Sequence, residues 1–348
     1  MPSAQTAQRE IPFGPGARIL VINVARIGDT ILATPLLRAL KTAQPNTHLT
    51  CVAHPGRAEI LKNLDFIDEL QPFTKKSAWL RGRTGKRWDA AFVLGHDAAL
   101  LRFALRTSRR VIAFRQHDDE LNKALYVTVE KPAAPMHAVK ERLLLADAVG
   151  ISSADLRLAY RPTAAEREQA AHWLAAHVPA DAAPIIGIQM GSFPTKAYRD
   201  WPVENFIALA KRIAAEKPNA YFVILGGKDV SDRAEEFKRA LPGRSTIDAC
   251  GRLSLRATAA LMNRLDLYLG VDTGPTHIAG ALGIPMVALY HCFHPGRLLA
   301  PLEHQGPLAV IEHPLTGDAC ERTSPMSLIT VENVWQAVDN VIGKPAAS

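Results

Sequence analysis

An α/β fold with two doubly wound parallel sheets is the architecture this sequence predicts, on three observations. Short β-branched runs alternate with stretches of helical apolar spacing, which calls for parallel strands joined by right-handed crossovers. The alternation ends and restarts near residue 161, and 348 residues exceed one comfortable core. The composition, 48% hydrophobic and 22% charged, is that of a globular chain and excludes wholesale disorder.

Residues 1–16 read as a flexible N-terminal tail. Arg9 and Glu10 interrupt it before any apolar core long enough for a signal peptide, so none is expected. The run ARILVINV (17–24) is the first strand, and DTILATPLLRALKTAQP after it has helical spacing. Further strands are predicted at 47–53, 89–95 and 109–114 and a helix at 137–150, completing a first domain over 17–161. Thr163 with Glu166 forms a capping-box pattern that opens the second domain, 162–330. Its strands are predicted at 183–190, 220–226, 245–249, 265–271 and 285–290. VENVWQAV (331–338) supplies a last helix within 331–348. Nowhere do about 18 apolar residues run together, so no transmembrane segment is expected.

The net charge of +7 favours an anionic partner. Basic residues gather at 75–87 and 101–110, either as a solvated face or as a patch facing an acceptor or a membrane. The four cysteines, 51, 250, 292 and 320, form no CxxC pair, as expected of a reduced intracellular protein.

Loops at the carboxyl ends of strands are where doubly wound sheets place ligands. In VARIGDTILATPLL (24–37), Gly28 permits a tight turn; Asp29 either caps the following helix or faces the cleft as a base. In GVDTGPTHIAGALGIP (270–285), Pro275 suits a helix start and Gly274 lets backbone approach a ligand. The helix amides there favour a diphosphate. Asp272 could accept ribose hydroxyls, and His277 could donate to phosphate or sugar. In QMGSFPTKAYRDWP (189–202), Gly191 and Ser192 offer donors, while Lys196 and Arg199 add charge. Gly226 in LGGKD (225–229) is a weaker instance of the same pattern.

RIGDTILATPLLRAL, GVDTGPTHIAGALGIPMVALY and TKAYRDWPVENFIALA together resemble the signatures of the ADP-heptose:lipopolysaccharide heptosyltransferases, glycosyltransferase family nine. The resemblance implies a GT-B fold: two Rossmann-like domains facing across a cleft, the second holding the nucleotide sugar and the first the acceptor. A last helix would pack back on the first domain. It makes Asp29 the general base. Asp272 would bind the ribose or sugar, and Thr273, Gly274 and His277 the diphosphate. Arg199 or Lys196 would meet the phosphate, and His137 and Arg142 become acceptor-site candidates, to which the first-strand loop adds Gly28 and the basic stretch 75–87 adds Arg83 and Arg87.

The implied reaction inverts the anomeric centre, with ADP-heptose as donor, an anionic glycolipid at the cytoplasmic face of the inner membrane as acceptor, and no metal or other cofactor. No nucleic acid partner is expected. His291, Cys292 and His294, with His304, His313 and Cys320 beyond, match no common zinc spacing. His291 and His294 are expected to line the donor pocket or cover the sheet edge. A related transferase with another nucleotide sugar or a protein acceptor, and a non-catalytic nucleotide or polyanion binder, remain the alternative readings.

Overall fold

The computed structural model describes residues 11, 13–74, 87–241 and 245–343. The chain divides into two compact units, Met1–Arg161 and Pro162–Ser348.

The first unit holds six parallel strands among its described residues: β1 Arg18–Asn23, β2 His48–Ala53, β3 Glu69–Pro72, β4 Trp88–Val93, β5 Ser108–Phe114 and β6 Val127–Val129. Their order is β3-β2-β1-β4-β5-β6. The central strands lie under helices on both faces, which is why they read as continuous apolar runs; Ile19 to Ile22 and Ala90 to Val93 are all buried. The helix predicted after β1 is two helices, α1 Ile27–Ile31 and α2 Thr34–Ala43. Pro35 has no amide with which to continue the ladder. The carbonyl of Ile31 instead accepts the Thr34 hydroxyl at 2.7 Å. Further along come α3 Ala98–Thr107 and α4 Ala138–Asp147.

Of the tail's described residues, Gly14 to Gly16 are exposed and one side chain is anchored. Phe13 is buried and meets Phe92 edge-on at 6.3 Å, because an aromatic ring gains more against the sheet than in water.

The second unit repeats the plan with β7 Ile185–Gln189, β8 Tyr221–Leu225, β9 Thr246–Asp248, β10 Leu267–Val271, β11 Met286–Tyr290 and β12 Leu308–Glu312, ordered β12-β11-β10-β7-β8-β9. Its principal helices are α5 Ala164–His177, α6 Val203–Glu216, α7 Leu255–Met262, α8 Gly274–Leu282 and α9 Val331–Ile342. The capping box at the start of α5 is formed, and Glu166 also takes Arg256 of α7 at 2.5 and 2.7 Å. Buried Trp201 donates its indole N–H to the Ile329 carbonyl at 2.8 Å.

The last helix departs from expectation. Rather than lending its apolar face to the first domain, α9 buries Val334, Trp335, Val338 and Val341 in the second unit's core, against α6, β11 and β12. Arg212 of α6 reinforces that packing over the Trp335 ring at 4.7 Å.

In each sheet the strand order reverses once, between β1 and β4 and between β10 and β7. The loops following these strands therefore lie at the switch point, where ligands of doubly wound sheets bind.

Candidate active site

In the first unit the loop after β1 leads into α1, whose N-cap is Arg26 and carries no side-chain cap bond. Asp29 therefore does not cap. Its Oδ1 instead accepts Arg142 Nη2 at 2.8 Å, across 113 positions of sequence. Arg142 is itself held to the Ala138 carbonyl at 2.7 Å, and its side chain is only 14% exposed while that of Asp29 is 49% exposed. A mostly covered guanidinium thus aims a carboxylate that still reaches solvent. Asp29 and Arg142 line a cavity of about 400 Å³ together with Asn23, His96, Lys131 and Glu141. Lys131 pairs with Glu141 at 2.9 Å, and burial with the nearby charges of Lys131 and His117 lowers the His96 pKa.

Two acceptor candidates stand elsewhere or serve otherwise. His137 is buried and caps α4, its Nδ1 accepting the Val139 amide at 3.2 Å. Arg87 precedes β4 and so lies at the amino end of the sheet, opposite the edge that carries Asp29. Arg83 lies outside the described residues. Gly28 is on α1 beside Asp29.

In the second unit Asp272, at the end of β10, is 2% exposed. Its Oδ2 accepts Arg199 Nη1 at 2.6 Å, and its Oδ1 faces His277 Nε2 at 3.5 Å. Burial pushes the Asp272 carboxyl up, but the His277 bond and the charges of His277, Arg199 and His294 outweigh it and hold it below its ordinary value. Asp272 and His277, expected to touch the ligand, are thus turned inward, and the carboxylate anchors Arg199. Thr273 and Gly274 stand at the start of α8, Thr273 making no side-chain cap bond.

The donors expected of Ser192, in the loop after β7, are spent within it. Ser192 gives its amide to Asp200 at 2.7 Å and its hydroxyl to the Lys196 carbonyl at 2.7 Å, and Arg233 closes on Asp200 at 2.6 Å. Packing alone already requires Gly191 and Gly226 to be small. A Cβ on either would meet Val230 methyls, at 2.3 and 2.4 Å.

The site residue that sequence reasoning passed over is Tyr198. Its hydroxyl is 2.9 Å from His294 Nε2, and its ring lies edge-on to His291 at 5.2 Å. His294 thereby sits against the donor-loop cations; burial, then the Arg199 charge, brings its pKa down to about 4. Nothing in the spacing marks Tyr198, since its partners come from distant loops. The same loops contradict the expectation of reduced cysteines. Cys292 and Cys320 are disulfide-bonded, their Cα atoms 5.8 Å apart, because the fold sets the loop after β11 beside the segment following β12. With His291 they form the one group among the described residues close enough to hold a metal. The donor set does not fit one while the bond stands: both sulfurs are taken, and His291 engages the Ser324 carbonyl and the Phe293 amide through its two nitrogens.

Comparison with known proteins decides the family. Residues 85–313 match the model of glycosyltransferase family 9 (heptosyltransferase). The chain belongs to that family. It is therefore a glycosyltransferase, and its two Rossmann-like units are those of the GT-B class. It is similar to the lipopolysaccharide core heptosyltransferase OpsX of Haemophilus influenzae, with 21% identity over 80% of each chain. Among solved structures, a family 9 glycosyltransferase from Veillonella parvula aligns with a TM-score of 0.82 at 22% identity, covering 95% of this chain and 98% of the other. The E. coli ADP-heptose LPS heptosyltransferase II aligns with a TM-score of 0.74 at 20% identity, covering 93% and 98%. Among the described residues no helix is long and apolar enough to cross a membrane.

Proposed function

We propose that this family 9 enzyme transfers a heptose from ADP-heptose to the inner core of lipopolysaccharide, inverting the anomeric carbon, without a metal, at the cytoplasmic face of the inner membrane. The activities named for its relatives support the sugar, the nucleotide and the glycolipid. The observation that carries the chemistry is the half-exposed Asp29 carboxylate, aimed by Arg142 into a cavity large enough for a sugar.

Arg142 occupies Oδ1, which leaves Oδ2 for an acceptor hydroxyl. As that oxygen bonds to the anomeric carbon its proton passes to Oδ2, while the bond from the anomeric carbon to the diphosphate oxygen breaks and ADP departs with the electron pair. Attack opposite the leaving group inverts the centre. In the second unit the amides at the start of α8 and the Lys196 charge are suited to the charge growing on the diphosphate.

Asp29→Asn keeps size and polarity but takes no proton. It is expected to lower kcat by about 10²–10⁴-fold, with the Kd for ADP within about twofold in calorimetry. ADP should bind more tightly than GDP or UDP, chelator-treated enzyme should keep its rate, and NMR of the product should show the inverted linkage. Undiminished turnover in Asp29→Asn would refute the assignment of the base.

A further inference from the structure

Three cations gather around the Tyr198 ring. The Arg322 guanidinium lies 4.8 Å from its centroid, that of Arg199 5.6 Å and Lys196 Nζ 5.9 Å. Only Arg199 has a carboxylate partner among the described residues. Like charges held this close repel, and the field they make together draws an anion. Two histidines stand beside the ring: burial, then the charges of His313 and Arg199, lower the His291 pKa against the Ser324 bond, and burial, then the charges of Arg199 and Lys196, lower that of His294.

Arg322 is placed there by construction. The Cys292–Cys320 disulfide pins its loop two residues before it, and His291 bonds to the Ser324 carbonyl at 2.9 Å two residues after it. Its own Nη2 donates to the Thr195 carbonyl at 3.3 Å, which ties it to the loop that carries Lys196. The Tyr198 ring between these cations is fixed in turn by His294.

We propose that Arg322 and Lys196 are the two arms of an anion clamp around Tyr198 that takes the diphosphate of the nucleotide-sugar donor, while Arg199 serves as the counter-ion of Asp272. This assignment rests on the donor reading given above. Arg199 is committed to a buried carboxylate; the charge of Lys196 and Arg322 is available to a ligand. A guanidinium meets phosphate with paired N–H groups, and the ammonium meets it as a point charge.

The test is calorimetric titration of the full chain with ADP, AMP and adenosine. Arg322→Gln and Lys196→Gln are each expected to weaken ADP about tenfold, AMP less, and adenosine by no more than about twofold, with Arg322→Lys restoring part of the loss. In steady state the donor KM should rise while the acceptor KM stays unchanged. Undiminished ADP affinity in Arg322→Gln would overturn the clamp. So would equal losses for ADP and adenosine, which mark damaged packing, or a change confined to the acceptor KM. Wild-type protein that binds no ADP would overturn the donor reading and the clamp together, whereas tight wild-type binding unaffected by either substitution overturns the clamp alone.

Discussion

Replacing Arg199 by Gln should cost the second unit more than replacing Asp272 by Asn, although the two residues form one ion pair. The Asp272 side chain is 2% exposed and that of Arg199 15%. Removing one partner of a buried pair costs about 3–5 kcal/mol, most of it the charge left behind. Without Arg199, a carboxylate with almost no access to water keeps His277 at 3.5 Å as its near partner, so the upper part of that range applies. Without the Asp272 charge, the asparagine oxygen still accepts a hydrogen bond and the guanidinium can turn toward solvent, so the loss stays at about 3 kcal/mol or below. At about 2–4 °C per kcal/mol for a unit of this size, Arg199→Gln lowers the Tm by roughly 10 °C or more.

The two variants also differ in their response to pH. Burial already pushes the Asp272 carboxyl up, and removing Arg199 takes away one of the charges that hold it down. Its pKa therefore rises, and the deficit shrinks as acidification protonates the stranded carboxylate. Urea unfolding at pH 7 and pH 5 reads both effects. Losses below about 1 kcal/mol in both variants, as for an exposed pair, or an Arg199→Gln deficit unchanged by pH, would refute the reasoning.

Two further predictions concern acid. The Arg256 bond, against the cost of burial, holds the Glu166 carboxyl down from 4.5 to about 2, so its contribution is present above the unfolded value and is lost as pH falls toward 2. Acid unfolding of Arg256→Met should lack that part of the slope; an unchanged slope would count against the pair. His294 is depressed from 6.5 to about 4, so the unfolded chain takes up this proton first and stability falls as pH drops from 6.5 to 4. Urea midpoints of His294→Asn measured across this interval should fall less than those of the wild type, and parallel curves would dismiss the effect.

Legibility in the sequence followed burial. The central strands β1, β4, β7, β8, β10 and β11 announce themselves because both faces are covered and apolar residues run unbroken. Of the edge strands only β9 is legible: Glu69–Pro72 carries Glu, Gln and Pro with no buried residue, β6 is three residues long, and β12 is only partly covered. For the site, strand-end loops mark where chemistry gathers, as at Asp29 and Asp272, but not which partner each side chain finds. Arg142 reaches Asp29 from a helix far along the chain, and Arg322 reaches Tyr198 from beyond β12. A glycine does not disclose what fills the space beside it; beside Gly191 and Gly226 it is Val230. The path of α9 was equally hidden, since its apolar stripe fits any covered sheet and only the packing selects the second.

All strand pairing among the described residues is parallel, and this governs how the protein comes into being. No hairpin can nucleate either sheet, because every neighbouring strand must wait for a crossover. At the two switch points the wait is longest: Ile19 pairs with Ala90, and Ile186 with Leu267. During synthesis one flank of β1, and later one flank of β7, emerges with its amides and carbonyls unmatched and stays so until β4 or β10 arrives. Long-range pairing of this kind folds slowly and exposes sticky edges to other nascent chains. The strand order that assembles a ligand edge thus also leaves strand edges open while the chain is being made.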